Sequence, residues 1–189
     1  MRNEDSLEQV FPRILEELRQ VLSRVRQEEL DALSGAVAGA RRVFFIGAGR
    51  VGTATRGLAM RVAHFGKPAF WVPDDTTPAI GPGDLLIANS GSGGSPSTLH
   101  VASEASKAGA AVATITANPD GEIARLAGTV LVLPAQTFKT DRSGWSSLLP
   151  MGSQFELALW VLQDVLCLSL MRRMGIDESA LIARHRNLE

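Results

Sequence analysis

The sequence predicts an α/β chain: a three-layer αβα sandwich around a five-stranded parallel sheet, with helices added at both ends. Three observations predict it. From residue 41 short, continuous apolar runs alternate with helical patterns, as strands buried on both faces of a parallel sheet require. Two glycine-rich turns stand at the ends of such runs, where open parallel sheets bind ligands. A segment near the C-terminus is apolar around most of its circumference, which marks a helix buried in more than one direction.

Residues 1–40 read as a helical extension. Ile14, Leu15, Leu18, Val21, Leu22 and Val25 recur at spacings of three and four with charged residues between them, and Leu30, Leu33, Val37 and Ala40 continue the pattern. The sheet core follows over residues 41–134. Its strands are predicted at 43–46, 69–72, 84–89, 111–116 and 129–133, the last closed by Pro134. Helices are predicted between them at 53–65, 97–108 and 123–126. Short connections and right-handed crossovers then give a doubly wound, flavodoxin- or Rossmann-like sheet in a single domain of 189 residues. Residues 135–149 read as a polar loop containing Gly144 and Trp145, and 150–189 as C-terminal helices, the long one spanning about 152–174. That long helix has apolar surface to spare, which predicts an oligomer.

Composition narrows the function. Nineteen basic and twenty acidic residues leave a net charge of −1, so no field gathers nucleic acid or acidic lipid. Cys167 is the single cysteine and lies in an apolar run, so it reads as core rather than as half of a disulfide or metal site. His64, His100 and His185 are too dispersed to form a metal site. No apolar h-region opens the chain and no uninterrupted apolar run reaches about 18 residues, so a cytoplasmic chain without membrane contact is expected.

The two glycine-rich turns carry the chemistry. Gly47-Ala48-Gly49-Arg50-Val51-Gly52 is a G-x-G-x-x-G between a strand and a helix, with Asp74 and Asp75 near the spacing of a ribose-binding acid. By itself it is a dinucleotide fingerprint. Ser90-Gly91-Ser92-Gly93-Gly94-Ser95 also follows a strand, and it enters a helix through Pro96. Glycines admit close approach of backbone N–H groups to an anion, the helix N-terminus adds partial positive charge, and three hydroxyls supply donors. Such a nest suits a single phosphate, with Ser90, Gly91, Ser92 and Ser95 as its ligands. A dinucleotide enzyme also needs room for a second substrate domain, and the chain offers little.

Further along, Gly47-Ala48-Gly49-Arg50, Ala59-Met60-Arg61 with His64, Thr77-Pro78-Ala79-Ile80, Gly83-Asp84-Leu85-Leu86, Ser90-Gly91-Ser92-Gly93, and Pro150-Met151-Gly152-Ser153 with Phe155-Glu156 occur in order. Together with the closing Arg184-His185-Arg186-Asn187-Leu188-Glu189, this series resembles the 6-phospho-3-hexuloisomerases of the sugar isomerase (SIS) domain superfamily. The resemblance implies an SIS-type fold and interconversion of D-arabino-3-hexulose 6-phosphate and fructose 6-phosphate. That is the second step of formaldehyde fixation by the ribulose monophosphate route. It also implies a phosphorylated sugar as partner, no metal or nicotinamide cofactor, and a tetramer or dimer.

Shifting a carbonyl from C3 to C2 needs a base and a group that stabilises an enediolate oxygen. Glu156, near the start of the long helix, is the candidate base and falls where SIS isomerases carry their proton-transfer glutamate. His64 is the second catalytic candidate, acting on a sugar oxygen in its own or a neighbouring subunit's site. Gly49 and Arg50 in the first turn are candidates for binding phosphate or the developing enolate. Ser153 reads as a cap of the long helix, and His100 as exposed or structural. Two positions depart from the family pattern: Val51 stands where serine is usual, and Gly94 where glutamate is usual. They leave open an isomerase of another phosphosugar, or a non-catalytic SIS module that only binds one.

Overall fold

The computed structural model describes residues 6–138 and 146–188; Gly144, Trp145 and the terminal Glu189 lie outside them. Two helices, α1 (Leu7–Leu22) and α2 (Gln27–Gly39), precede the sheet. The core then alternates β1 (Val43–Gly47), α3 (Gly49–His64), β2 (Ala69–Trp71), β3 (Leu85–Asn89), α4 (Pro96–Lys107), β4 (Ala111–Thr116), α5 (Glu122–Leu126) and β5 (Thr129–Val132). A 3-10 turn at Pro150–Gly152 leads into α6 (Ser153–Met174), and α7 (Glu178–Ala183) follows.

All strand pairs are parallel, in the order β2-β1-β3-β4-β5. Strand order reverses between β1 and β3, the neighbours paired from Val43↔Leu85 to Gly47↔Asn89. Both glycine-rich turns therefore leave the sheet side by side at its switch point, where ligands of such sheets sit.

The pleat divides the core in two. Val43, Phe45, Leu85, Ile87, Ala113 and Ile115 point to one face and pack under α1, α2, α3 and α6. Phe44, Ile46, Leu86, Ala88 and Val112 point to the other and meet Ala102 and Ala105 of α4 and Ile123 of α5. Along β1 and through Ala88 of β3 the alternate side chains are thus apolar in both directions, the reason these strands read as unbroken apolar runs. Full burial of each Phe, Ile or Leu side chain contributes roughly 1.5–3 kcal/mol.

The amino end of the sheet is locked by a buried acid. Asp84 accepts from Arg42 Nη2 at 2.6 Å, Arg42 Nε at 3.0 Å, Arg41 Nε at 3.2 Å and the Gly81 N–H at 3.0 Å. These partners, Arg42 foremost, hold its carboxyl far below the usual carboxylate range. Cys167 is core, as its apolar run predicts, and burial pushes its thiol up to about 12.

Helix α6 is long and apolar enough to cross a membrane by length and composition. One side of it is packed into the core through Phe155, Leu159, Leu162, Leu166 and Leu170, while Trp160, Val161, Val165 and Leu168 stay exposed. Two local expectations need correction. The helix expected from residue 53 begins at Gly49, because the G-x-G-x-x-G turn folds into its first turn. Ser153 does not cap α6: the N-cap is Gly152, in the left-handed region at φ 80°, and Ser153 is already helical.

Candidate functional site

The two glycine-rich turns differ in what they do with their backbone. The first closes on itself. A Cβ at Gly52 would stand 2.4 Å from the Gly47 carbonyl oxygen, so these glycines let the end of β1 pack against the start of α3. Strand–helix packing of this kind is what the last glycine of a G-x-G-x-x-G turn provides whatever the turn binds.

The second turn is tied down by its carbonyls. Ser90 O accepts from Gly93 N at 3.0 Å, Gly91 O from Ala117 N at 3.1 Å, and Gly93 O from Ile123 N at 3.0 Å. Ser92 O accepts from Asn118 Nδ2 at 3.0 Å. Gly93 needs its φ of 73° for this, with Gly121 Cα lying 3.0 Å from where a Cβ would be. With the carbonyls of Gly91, Ser92 and Gly93 engaged by residues 117–123 and that of Ser90 by the loop itself, the N–H groups of Gly91, Ser92, Gly94 and Ser95 have no backbone acceptor among the described residues. Ser95 is the N-cap of α4, and its hydroxyl does not cap the helix. An array of unspent N–H donors at a helix start is an anion nest.

This loop forms one wall of a cleft of about 150 Å3, smaller than the roughly 300–1,000 Å3 of drug-sized sites. Ser90, Gly91, Ser92 and Ser95 line it, with Asn89 behind them and Glu156 opposite. Asn89 is fully buried and oriented at both ends: it donates to Thr55 Oγ1 at 3.1 Å and accepts from Ile115 N at 2.9 Å. Val51 also faces the cleft and sets part of its apolar lining. A Cβ at Gly94 would lie 3.5 Å from Glu122 Oε2.

Phe155, Thr137, Phe138, Met151 and Gly152 complete the far wall. Phe155 is buried against Gly91, and Met151 is the single described non-glycine residue at positive φ, 54°. Glu156, in the first turn of α6, pairs its largely buried carboxylate with the exposed Arg50 guanidinium of α3. Glu156 lines the cleft, and the ion pair ties it to Arg50 just outside the lining. A carboxylate beside a guanidinium, facing an anion nest, can move a proton while the cation offsets charge on a neighbouring oxygen.

Of the residues expected from sequence, Ser90, Gly91, Ser92, Ser95 and Glu156 line this cleft, and Arg50, outside the lining, reaches it through its ion pair with Glu156. Gly49 starts α3 at φ 57° with open space around it, outside the lining. His64 is not brought to Glu156 within the chain. It is buried at the end of α3 in a second cleft, of about 710 Å3, with Arg61, Asp164, Cys167 and Glu178. There its ring lies 5.1 Å from that of His185. His100 is exposed on α4, as expected. Sequence reasoning missed Asn89, Thr137, Phe138 and Phe155. Asn89 left a signal, a polar residue closing an otherwise apolar strand.

Comparison with known proteins places this architecture. The SIS domain family profile matches residues 36–159. The chain is 39% identical over 176 residues to the 3-hexulose-6-phosphate isomerase of Mycobacterium gastri, covering 93% of this chain and 88% of that one. It is 34% identical to the Bacillus subtilis enzyme of the same name, covering 93% and 95%. A Methanococcus jannaschii crystal structure from which 3-hexulose-6-phosphate isomerase function was inferred superposes with a TM-score of 0.82 at 30% identity, covering 95% and 99%. The cleft at the switch point, the paired Arg50 and Glu156 and this likeness along nearly the whole chain agree: the protein belongs to the 3-hexulose-6-phosphate isomerase family of SIS domain proteins.

Proposed function

We propose that the chain interconverts 3-hexulose 6-phosphate and fructose 6-phosphate in the cleft between the Ser90–Ser95 loop and Glu156. The observation that carries this reading is the placement of a single carboxylate, Glu156, opposite a phosphate-sized nest in a chain of this family. The phosphate is held by the loop's N–H groups and by Ser90, Ser92 and Ser95. Glu156 takes the C2 proton of the 3-ketose, giving a 2,3-enediol, exchanges it with solvent and delivers a proton to C3, which leaves the carbonyl at C2. Arg50 gives up part of its pairing with Glu156 to the enediolate oxygen, so the carboxylate turns toward substrate as charge develops.

His64 works from a neighbouring copy, protonating a sugar oxygen. The copy docks on the exposed stripe of Trp160, Val161, Val165 and Leu168 of α6, beside Met60 of α3. A homodimer or tetramer in the cytoplasm, without nucleic acid or membrane, follows from this reading.

The test is turnover of 3-hexulose 6-phosphate coupled to fructose 6-phosphate detection, run in D2O. One deuterium at C3 of the product is expected. Failure of the wild type to form fructose 6-phosphate, with another phosphosugar isomerised instead, would transfer the chemistry to that sugar.

A further inference from the structure

Four residues far apart in sequence close a hydrogen-bonded ring behind the far wall of the cleft. Glu17 of α1 accepts from Ser147 Oγ and, at 3.3 Å, from Gln154 Nε2. Gln154 Oε1 accepts from Gln136 N at 2.7 Å, and Gln136 Oε1 accepts from Ser147 N at 2.7 Å. The other oxygen of Glu17 accepts from Leu148 N at 2.8 Å. Ser147 Oγ also accepts from Leu149 N at 3.0 Å, so that segment is fixed at three successive residues.

The ring frames catalytic parts without containing any. Gln154 is fully buried in the first turn of α6, two residues before Glu156. Gln136 precedes Thr137 and Phe138, and residues 147–149 lead directly to Met151 and Gly152; all four of these latter residues line the cleft. Met151 sits at φ 54° and a Cβ at Gly152 would stand 2.5 Å from Phe138 N. A turn so tight holds its shape only where its surroundings over-determine it. The ring's one charge is the Glu17 carboxylate, which gathers donors from both the loop and the helix start. Hydrogen bonds to a charged acceptor are roughly twice as strong as neutral ones.

From this we propose that Glu17 is a positioning residue for the isomerase site: through Ser147, Leu148 and Gln154 it sets the first turn of α6 and thereby the aim of Glu156. The proposal rests on the isomerase reading above for its kinetic consequence, though not for the ring. A displacement of about 1 Å at a reacting group costs on the order of 100-fold in rate. The phosphate loop, anchored on β4 and α5, shares no hydrogen bond with the ring among the described residues.

The experiment compares Glu17→Ala, Glu17→Gln and a control, Glu16→Ala, which removes the same charge one residue away, where Glu16 pairs with exposed Arg19. For Glu17→Ala we expect kcat down about 10- to 100-fold with KM within about threefold, and faster hydrogen exchange over residues 147–156. Glu17→Gln keeps an acceptor for Leu148 N and should fall between. Glu16→Ala should match the wild type in both readouts. Equal kcat in Glu17→Ala and wild type overturns the proposal, as does unchanged exchange over 147–156. If Glu17→Ala does not fold, Glu17→Gln carries the same two readouts. If the wild type lacks turnover, the isomerase reading fails by itself. Exchange and calorimetric binding of fructose 6-phosphate then decide Glu17: unchanged values in Glu17→Gln overturn its role and weakened ones support it.

Discussion

The two ends of the parallel sheet are built on opposite plans. At the amino end, Asp84 is buried and receives donors from Arg41, Arg42 and the Gly81 N–H, so its hydrogen-bonding capacity is spent within the fold. At the carboxyl end, the Ser90–Ser95 loop spends the carbonyls of Gly91, Ser92 and Gly93 on residues 117–123 and leaves N–H groups over. One end is saturated and the other is deliberately unsaturated. The difference teaches where stability and binding reside in this chain: a satisfied buried charge holds strands, whereas unspent donors wait for an anion.

The sharpest way to separate the ends is to change one residue at each. Glu156→Gln keeps shape and removes the base, so kcat should fall about 10²- to 10⁴-fold with the thermal midpoint nearly unmoved. A variant retaining full turnover would remove Glu156 from the chemistry. Asp84→Asn should do the reverse. Losing charge-assisted hydrogen bonds costs about 1.5–3 kcal/mol, or roughly 3–12 °C in a chain of this size, while KM and kcat hold below the midpoint.

The pH dependence of that second variant has a definite sign. Asp84 is held below its unfolded value by Arg42, Arg41 and the Gly81 N–H. Its stabilising contribution is therefore present above the unfolded carboxylate value of about 3.9 and is lost as pH falls below it. Wild type and Asp84→Asn should differ most near neutrality and converge in acid. Denaturant titrations at several pH values would measure this, and a gap that widens in acid would contradict it.

The same contrast explains what was legible in the sequence. The strands were, because alternate residues such as Phe44 and Phe45 are apolar for two different helix layers. The Ser90–Ser95 loop was, because glycines between a buried strand and a helix start are local. The Gly47–Gly52 turn was misleading, since a G-x-G-x-x-G pattern fits both a pyrophosphate cradle and a close strand–helix contact. The likeness to the SIS isomerases along nearly the whole chain, rather than the turn's own geometry, decides between them. Thr137, Phe138 and Phe155 could not be read, because their places in the cleft depend on long-range hydrogen bonds such as Gln136 N to Gln154. Nor could the burial of His64 beside His185, which needs α7 folded back on α3.

A residue that belongs to both plans should give a mixed result. Gly93→Ala forces a side chain into φ 73° and toward Gly121 Cα. The left-handed conformation costs about 1–2 kcal/mol, and its relief would tilt the loop away from Asn118. Both a lower thermal midpoint and weaker fructose 6-phosphate binding are expected, measured by calorimetry on the same preparation. Loss of stability with intact affinity would show that the donors do not depend on this anchoring.

The smallest effect is expected where one donor is removed from the nest without moving its backbone. Ser92 is half-buried, lines the cleft, and holds its own carbonyl on Asn118 Nδ2, so Ser92→Ala deletes a hydroxyl and little else. A single hydrogen bond contributes about 0.5–1.5 kcal/mol, or roughly 2- to 13-fold in KM, with kcat and thermal midpoint close to wild type. The remaining N–H groups keep the phosphate, which is why the loss stays modest. If KM is unchanged, the backbone carries the anion alone and the Ser92 hydroxyl belongs to the loop's hydration rather than to its ligand.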